Sequence, residues 1–219
     1  MATLMDIGSS FTYMFQDKNW IKKILIGGVV SLIPIVNFAA IGYLVQIIRN
    51  VRGGQSLPLP EWDDFGKYFM DGLWIFLIFL VWSIPLILVA CLQGIGGALT
   101  ADNQDLAGTY GVISICFTCL IALWALVLGI AAPAILARYA EVGQFMAGFQ
   151  FSELFSFIGA NVGSYIIVLL LMWVASLVAS LGVILCAVGI IFTQFWSYLV
   201  TGNLIGQLAA QRQASTPAA

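Results

Sequence analysis

Few residues in this chain are of types that do chemistry, and most stand where chemistry is hard to support. Cys116 and Cys119 form a Cys-x-x-Cys pair, the spacing of a dithiol redox couple or of half a metal site. A metal site would need a second pair or histidines, and the chain has no histidine. Both cysteines, like Cys91 and Cys186, fall inside apolar runs. An apolar setting raises a thiol's pKa, and a free cysteine there acts as a small hydrophobe. The absence of histidine also removes His-dependent triads, His-ligated metal or haem and zinc-protease motifs. Glu61, Asp63 and Asp64 gather carboxylates that would suit a cation. They also stand where a helix begins, and its N-terminal dipole favours acids without any metal. A serine nucleophile would need a lysine base, but the lysines flank the ends of apolar runs. The expectation is a protein that is not an enzyme and holds no cofactor or metal.

Neutral polar residues inside the apolar runs offer a different chemistry. Asn37, Gln46, Ser83, Gln93, Ser114, Thr118, Thr193, Gln194 and Asn203, with helices broken at Pro34, Pro85 and Pro133, could line a path for a small molecule near a bilayer midplane. Ionisable residues, the usual markers of ion and proton paths, are missing from those runs. Single Ser, Thr and Gln residues also stitch membrane helices together, and proline is common in such helices. Transport or channel activity is therefore the alternative to a purely structural role.

The elements that must position these residues follow from where charge is absent. Four uncharged, mostly apolar runs extend over Ile24 to Ile48, Gly72 to Ala101, Leu106 to Ala137 and Leu154 to Gln211. A hydrocarbon core about 30 Å thick needs about 20 apolar helical residues, and lipid admits only helices or closed barrels. Only 8% of the residues are charged and 62% are hydrophobic, against roughly 25% charged in soluble domains. The 219 residues leave no room for a separate soluble domain. A net charge of −2 without a Lys/Arg cluster excludes a nucleic-acid partner and an anionic-lipid site of the polybasic kind.

Basic residues set the topology. Lys18, Lys22 and Lys23 precede run one, Arg49, Arg52 and Lys67 separate runs one and two, Arg138 follows run three and Arg212 follows run four. The loop between runs two and three holds only Asp102 and Asp105. Positive residues stay in the cytoplasm, so that acidic loop is external and both termini are cytoplasmic. Run one must then begin and end on one side, which requires a hairpin turning at Ile33-Pro34-Ile35-Val36-Asn37, where proline disfavours helix and Asn favours a turn. A single Pro-kinked helix with a weak charge bias is the alternative. Run four is too long for one crossing and turns within Gly182 to Gly189. Matches at an offset of 152, such as Tyr43 with Phe195 and Gln55 with Gln207, hint at a repeat of the two hairpins.

The expected architecture is an all-α polytopic transmembrane bundle of about six membrane segments with interfacial amphipathic helices, forming one membrane domain, 1–219. It comprises an interfacial helix at 1–19, a hairpin at 20–52, a cytoplasmic loop and interfacial helix at 53–71, two full crossings within 72–137, an interfacial segment at 138–160, a hairpin at 161–210 and a disordered tail at 211–219. Asp6 and Asp17 in the first segment argue against a cleaved leader. Aromatic stripes lie before each membrane unit: Phe11, Phe15 and Trp20; Trp62, Phe65, Phe69 and Trp74; Phe145, Phe149, Phe155 and Phe157. Such stripes anchor helices at the interface and offer a lipid or partner collar.

Small residues four apart, namely Gly27/Ser31, Ala125/Gly129, Gly159/Gly163, Ala175/Ala179 and Gly202/Gly206, let helices approach closely. Trp62, Phe65, Phe69, Phe149, Phe155, Gly159 and Gly163 are the expected lipid or partner contacts. The partners are the lipid bilayer and, by these faces, other integral membrane proteins or a second copy of the chain. An accessory or scaffold subunit is the expected role.

The run Leu59-Pro60-Glu61-Trp62-Asp63-Asp64 followed by Gly72-Leu73, downstream of Gly42-Tyr43, Arg49 and Arg52, resembles the integral membrane family called domain of unknown function 4013 (DUF4013). The Pro133 to Glu141 stretch and Gly206-Gln207-Leu208 are similar too, so the resemblance covers nearly the whole chain. It implies a prokaryotic inner (cytoplasmic) membrane protein and brings no assigned activity or site residues.

Overall fold

The computed structural model describes residues 5–215, the side chains of 104, 105, 184–188 and 215 excepted. Every element among them is helical. The order is α1 (Ile7–Thr12), a 3-10 turn at Tyr13–Gln16, α2 (Trp20–Leu32), α3 (Phe38–Arg52), α4 (Phe65–Thr100), α5 (Gln104–Val142), a 3-10 segment at Phe145–Phe149, α6 (Phe151–Ala160), α7 (Val162–Ser180), a 3-10 segment at Leu181–Leu185 and α8 (Cys186–Ser215). The chain divides into two compact units, Met1–Phe76 with Pro133–Ala219, and Leu77–Ala132.

In the first unit α3 and α8 form the centre. Ala39, Ala40, Tyr43, Leu44, Val45, Ile47 and Ile48 of α3 are all buried, as are Phe195, Leu199, Val200, Leu204, Ile205 and Leu208 of α8. A helix apolar on every side is one that is covered on every side. Between lipid and protein the apolar transfer term is small, so close packing holds such helices together. The small residues of α8 allow it: a Cβ on Gly202 would come within 3.0 Å of Ile47, and one on Gly206 within 2.6 Å of Val51. Across α2, Gly27 and Gly28 form the notch that receives the rings of Phe195 and Phe192. On α7, Ala175 and Ala179 are fully buried, and Thr193 Oγ1 donates to Ala179 O at 2.7 Å.

The break between α2 and α3 falls where the charges require it, at residues 33–37. Ile35 has φ 74°, a left-handed backbone that a β-branched residue rarely adopts. Pro85 and Pro133, by contrast, lie inside continuous helices, so of the three expected breaks only that at Pro34 exists.

The second unit is the helical pair on either side of the turn at 101–103. Trp124 Nε1 donates to Trp82 O at 2.8 Å, Gln93 Nε2 donates to Thr118 Oγ1 at 3.2 Å, and Tyr110 donates its hydroxyl to Gln93 O. Its outer faces are aliphatic, with Leu88, Leu92, Leu99, Val112, Leu123 and Leu126 exposed.

Among the described residues three stretches are long and apolar enough to cross a membrane: Phe65–Thr100, Leu106–Val142 and Val162–Val183. They make the chain compatible with a membrane protein, but they do not make six crossings. At 13 and 15 residues, α2 and α3 reach only about 20 and 22 Å at 1.5 Å per residue, short of the roughly 30 Å core. Both of the longest helices also begin or end beyond the expected limits. Asp64 Oδ1 accepts from Lys67 N at 3.3 Å and starts α4 at Phe65, so no separate interfacial helix precedes Gly72. At the other end α5 runs on to Val142. The expected tail at 211–219 is helical as far as Ser215, and 216–219 lie outside the described residues.

Gly159 and Gly163 do not form a packing face. Asn161, with φ −148° and ψ 63°, ends α6 and starts α7 between them, so a four-residue spacing there does not stack one residue above another.

Candidate functional site

The ion pairs of the first unit fall in three polar clusters, each built by residues far apart in sequence. The first is centred on Lys23, whose side chain is 3% exposed. Its Nζ meets Asp17 and Glu61, both at 2.6 Å, and donates to Leu59 O at 3.2 Å. The loop carrying Glu61 is tied down along its length. Asn50 Nδ2 donates to Pro58 O at 2.9 Å, Tyr43 to Pro60 O at 2.8 Å, Tyr68 to Glu61 O at 2.8 Å, and Trp62 Nε1 to Lys23 O at 3.1 Å. Trp62 stacks on Tyr43 with centroids 4.5 Å apart. Pro58 and Pro60 lie outside any helix, so their carbonyls are paired by side chains and not by a helical backbone.

Burial pushes the Asp17 carboxyl up, but hydrogen bonds from Lys23 and from Asn19 N, with the attraction of the ammonium, outweigh it and hold the pKa below the ordinary 3.8. A lowered folded-state pKa contributes stability that is full above the unfolded value and lost as pH falls through the folded one. Thermal unfolding followed from pH 7 to below 3.8 should show a loss of stability in acid that is smaller in Asp17→Asn, which is already weakened at pH 7.

The second cluster joins α3, α4 and α5. Arg49 forms a forked ion pair with Asp71, whose NH2 arm spans 3.2 Å, and donates Nε to Ala140 O at 3.0 Å. Tyr139, fully buried, donates to Asp71 Oδ1 at 2.9 Å. Beside it Arg52 and Arg138 both hold Glu141, at 3.3 and 2.8 Å, and Arg138 Nε donates to Gln150 at 2.9 Å. Bidentate Arg–carboxylate geometry is the strong form of such pairs.

The third cluster docks the N-terminal segment on α8. Ser10 Oγ donates to Asn203 Oδ1 at 2.9 Å, Tyr13 to Leu199 O at 3.0 Å, and Gln207 Nε2 to Asn203 Oδ1 at 2.7 Å. Arg212 reaches back to Glu153 at 3.0 Å. In each cluster the charged groups face one another, which is the work of a clamp at helix ends. Among the described residues no group of three His, Cys, Asp or Glu could hold a metal. Cys91, Cys116 and Cys119 are free and exposed, and the side chain of Cys186 lies outside the described residues.

The expected contact residues part company. Trp62 is half-buried under the loop, Phe69 lies 6.0 Å from Phe38, and Phe149 lies 5.2 Å from Phe145. Phe65 at 39% and Phe155 at 71% are exposed and free to meet lipid. A Cβ on Gly159 or Gly163 would meet nothing within 4 Å. Asp71, Tyr139 and Lys23 did not stand out in the sequence. Asp71 carried one usable signal, an acid placed directly against an apolar run, where an ionisable residue implies a partner.

The segments that carried the resemblance therefore meet in space: the Leu59 to Asp64 loop covers Tyr43, Arg49 takes Asp71, and Arg52 takes Glu141. They define a helical protein with apolar, membrane-length helices and clamped polar clusters in its first unit. The family described as "Protein of unknown function (DUF4013)" matches residues 26–188, and the chain belongs to it. No curated protein and no solved structure matches the chain.

Proposed function

We propose that this protein is a non-enzymatic accessory or scaffold subunit of a prokaryotic cytoplasmic membrane, with both termini on the cytoplasmic side, that packs against other integral membrane helices or a second copy of itself. The observation that carries this reading is the fate of the small residues. Gly27, Ala175, Ala179, Gly202 and Gly206 are covered by the chain's own side chains. On α5, Gly111, Ala122, Ala125 and Gly129 are all exposed, and a Cβ on Gly129 would meet nothing within 4 Å. Their spacing of eleven, three and four places them along one face of the helix. Small residues in that pattern let a second helix come close enough for backbone contact, the main source of affinity inside a bilayer.

Purification in a mild detergent should yield a stoichiometric membrane partner or a dimer. Ala125→Leu with Gly129→Leu should reduce that association at least tenfold while leaving thermal stability unchanged. A wild-type chain that runs as a lone monomer, or a double variant that still associates, refutes the reading. The orientation has its own check: cysteine at position 56 should be labelled from the cytoplasm and cysteine at position 103 from outside, and labelling of both from one side refutes it.

A further inference from the structure

Ile21, Leu25, Val29 and Leu32 recur along α2 at spacings of four, four and three, and each is about half exposed. That spacing draws one stripe along one side of the helix, while Lys23, Gly27 and Val30 turn the other side into the unit. The stripe runs into the α2–α3 turn, where Ile33 and Ile35 are exposed as well, Ile35 at 67%. Ile35 holds the left-handed φ of 74°, a turn position that in water goes to glycine or asparagine. A continuous apolar face that ends on an apolar tip marks a surface for a membrane or a partner.

The other end of the stripe is cationic. Lys18, in the turn before α2, and Lys22, in its first turn, are exposed and form no ion pair among the described residues. Lys23, Arg49, Arg52, Arg138 and Arg212 are all ion-paired, and Asp17, the acid next to Lys18, is taken by Lys23. The first turn of α2 holds no acidic residue, so the two ammonium groups add to the positive end of the helix dipole. At the same end Trp20 meets Phe15 edge to face, with centroids 4.9 Å apart, and tryptophan favours headgroup depth.

We propose that this face of α2 docks an anionic phospholipid of the cytoplasmic leaflet, with the phosphate at Lys18 and Lys22 and the acyl chains along the stripe. The proposal rests on the membrane placement given above and not on the small-residue face of α5. Three features select this occupant. Ile21 to Leu32 is 11 residues of helix, about 17 Å, which matches one leaflet, about half of the roughly 30 Å core. A second helix would seek small residues for close approach, and the stripe holds none. A zwitterionic headgroup brings its own cation beside the phosphate, whereas an anionic one leaves net charge for the lysines, each of which favours acidic lipid about fivefold. Two lysines are fewer than the four to eight of a polybasic segment, so they suit one headgroup and not a diffuse acidic surface.

The test uses the full-length chain in nanodiscs of equal parts phosphatidylcholine and phosphatidylglycerol, with a photoreactive diazirine on the acyl chain of one lipid or the other. Mass spectrometry of peptides maps the adducts. The phosphatidylglycerol probe should label α2 at least fivefold more than the phosphatidylcholine probe. The control is α7, which carries no basic residue and exposes Ile166, Leu170 and Leu177; it should take both probes alike. Lys18→Gln and Lys22→Gln should each reduce the preference on α2, the double variant should abolish it, and Lys18→Arg with Lys22→Arg should keep it. Melting temperatures equal to the wild type separate a lost headgroup contact from a lost fold. Ala125→Leu with Gly129→Leu should also keep the preference, whatever it does to association. Equal labelling of α2 by the two probes, or a preference that survives the double Gln variant, overturns the proposal. So does a benzophenone-bearing residue at position 25 that links to a second chain instead of to lipid. Labelling of neither α2 nor α7 would overturn the membrane placement itself.

Discussion

Alanine at Gly42 or Gly72 should cost the protein its fold. A Cβ on Gly42 would lie 1.8 Å from Tyr68 O, and one on Gly72 would lie 1.7 Å from Phe38 O. The pairing of 42 with 68 and of 38 with 72 means that α3 and α4 cross antiparallel, each offering one glycine to a carbonyl of the other. Such contacts bring Cα–H groups against carbonyl oxygens, a recurring feature of close helix crossings. The obstruction is backbone, so no rotamer change relieves it and the helices must part. Overpacking by flexible neighbours costs about 1–3 kcal/mol, and a backbone clash belongs at or above that upper end. Denaturant titration of each variant in detergent should show a loss of at least about 3 kcal/mol on that basis, or no monodisperse protein. Gly94→Ala is the contrast: nothing lies within 4 Å of the added methyl, and the gain in helix propensity should raise stability by up to about 1 kcal/mol. Wild-type stability in Gly42→Ala and Gly72→Ala would mean that the crossing is not as close as described.

Asp71→Leu should be nearly as damaging, for an electrostatic reason. It removes the carboxylate from Arg49 and the acceptor from Tyr139, leaving a guanidinium and a buried phenol without their partner. Breaking a buried ion pair from one side costs about 3–5 kcal/mol. With the Arg49 side chain 21% exposed, water relieves part of that charge and places the expected loss near 3 kcal/mol. Removing both charges together should restore much of it, because apolar residues of similar volume replace a buried pair at little cost. The double variant Arg49→Met/Asp71→Leu should therefore be more stable than Asp71→Leu alone, and the difference measures the coupling. A loss under about 1 kcal/mol in Asp71→Leu, the range of exposed pairs, would show that this cluster is solvated and holds little together.

How much of this was legible beforehand depends on the reach of each effect. The break after Leu32 could be read because Pro34 acts on its own neighbours, and the turn at Asp102 because charge interrupts an apolar run. Pro85 and Pro133 misled, since a proline in a long apolar helix removes one donor without forcing the chain to turn. The aromatic stripe at Trp62, Phe65 and Phe69 marked large rings without showing what meets each of them, and the answer for Trp62 was Tyr43 of the same chain. The pair Gly159 and Gly163 was counted across Asn161, where the helix stops and the spacing loses its meaning.

The amino-acid order by itself determined that this is an all-helical chain with stretches able to cross a membrane, because uncharged apolar length and internal backbone pairing are local properties. It also set which residue types are missing, and so which chemistry has no histidine to work with. The tertiary structure alone decided the pairings: Arg49 with Asp71 across 22 residues, Asp71 with Tyr139 across 68, and the Asn37 side-chain oxygen with no partner among the described residues. A charge or an unpaired amide states that a partner is needed, but its identity depends on which helix faces arrive beside it. Those arrivals are set by small residues, such as Gly42, Gly72 and Gly206, whose importance lies in the atoms that a side chain there would strike.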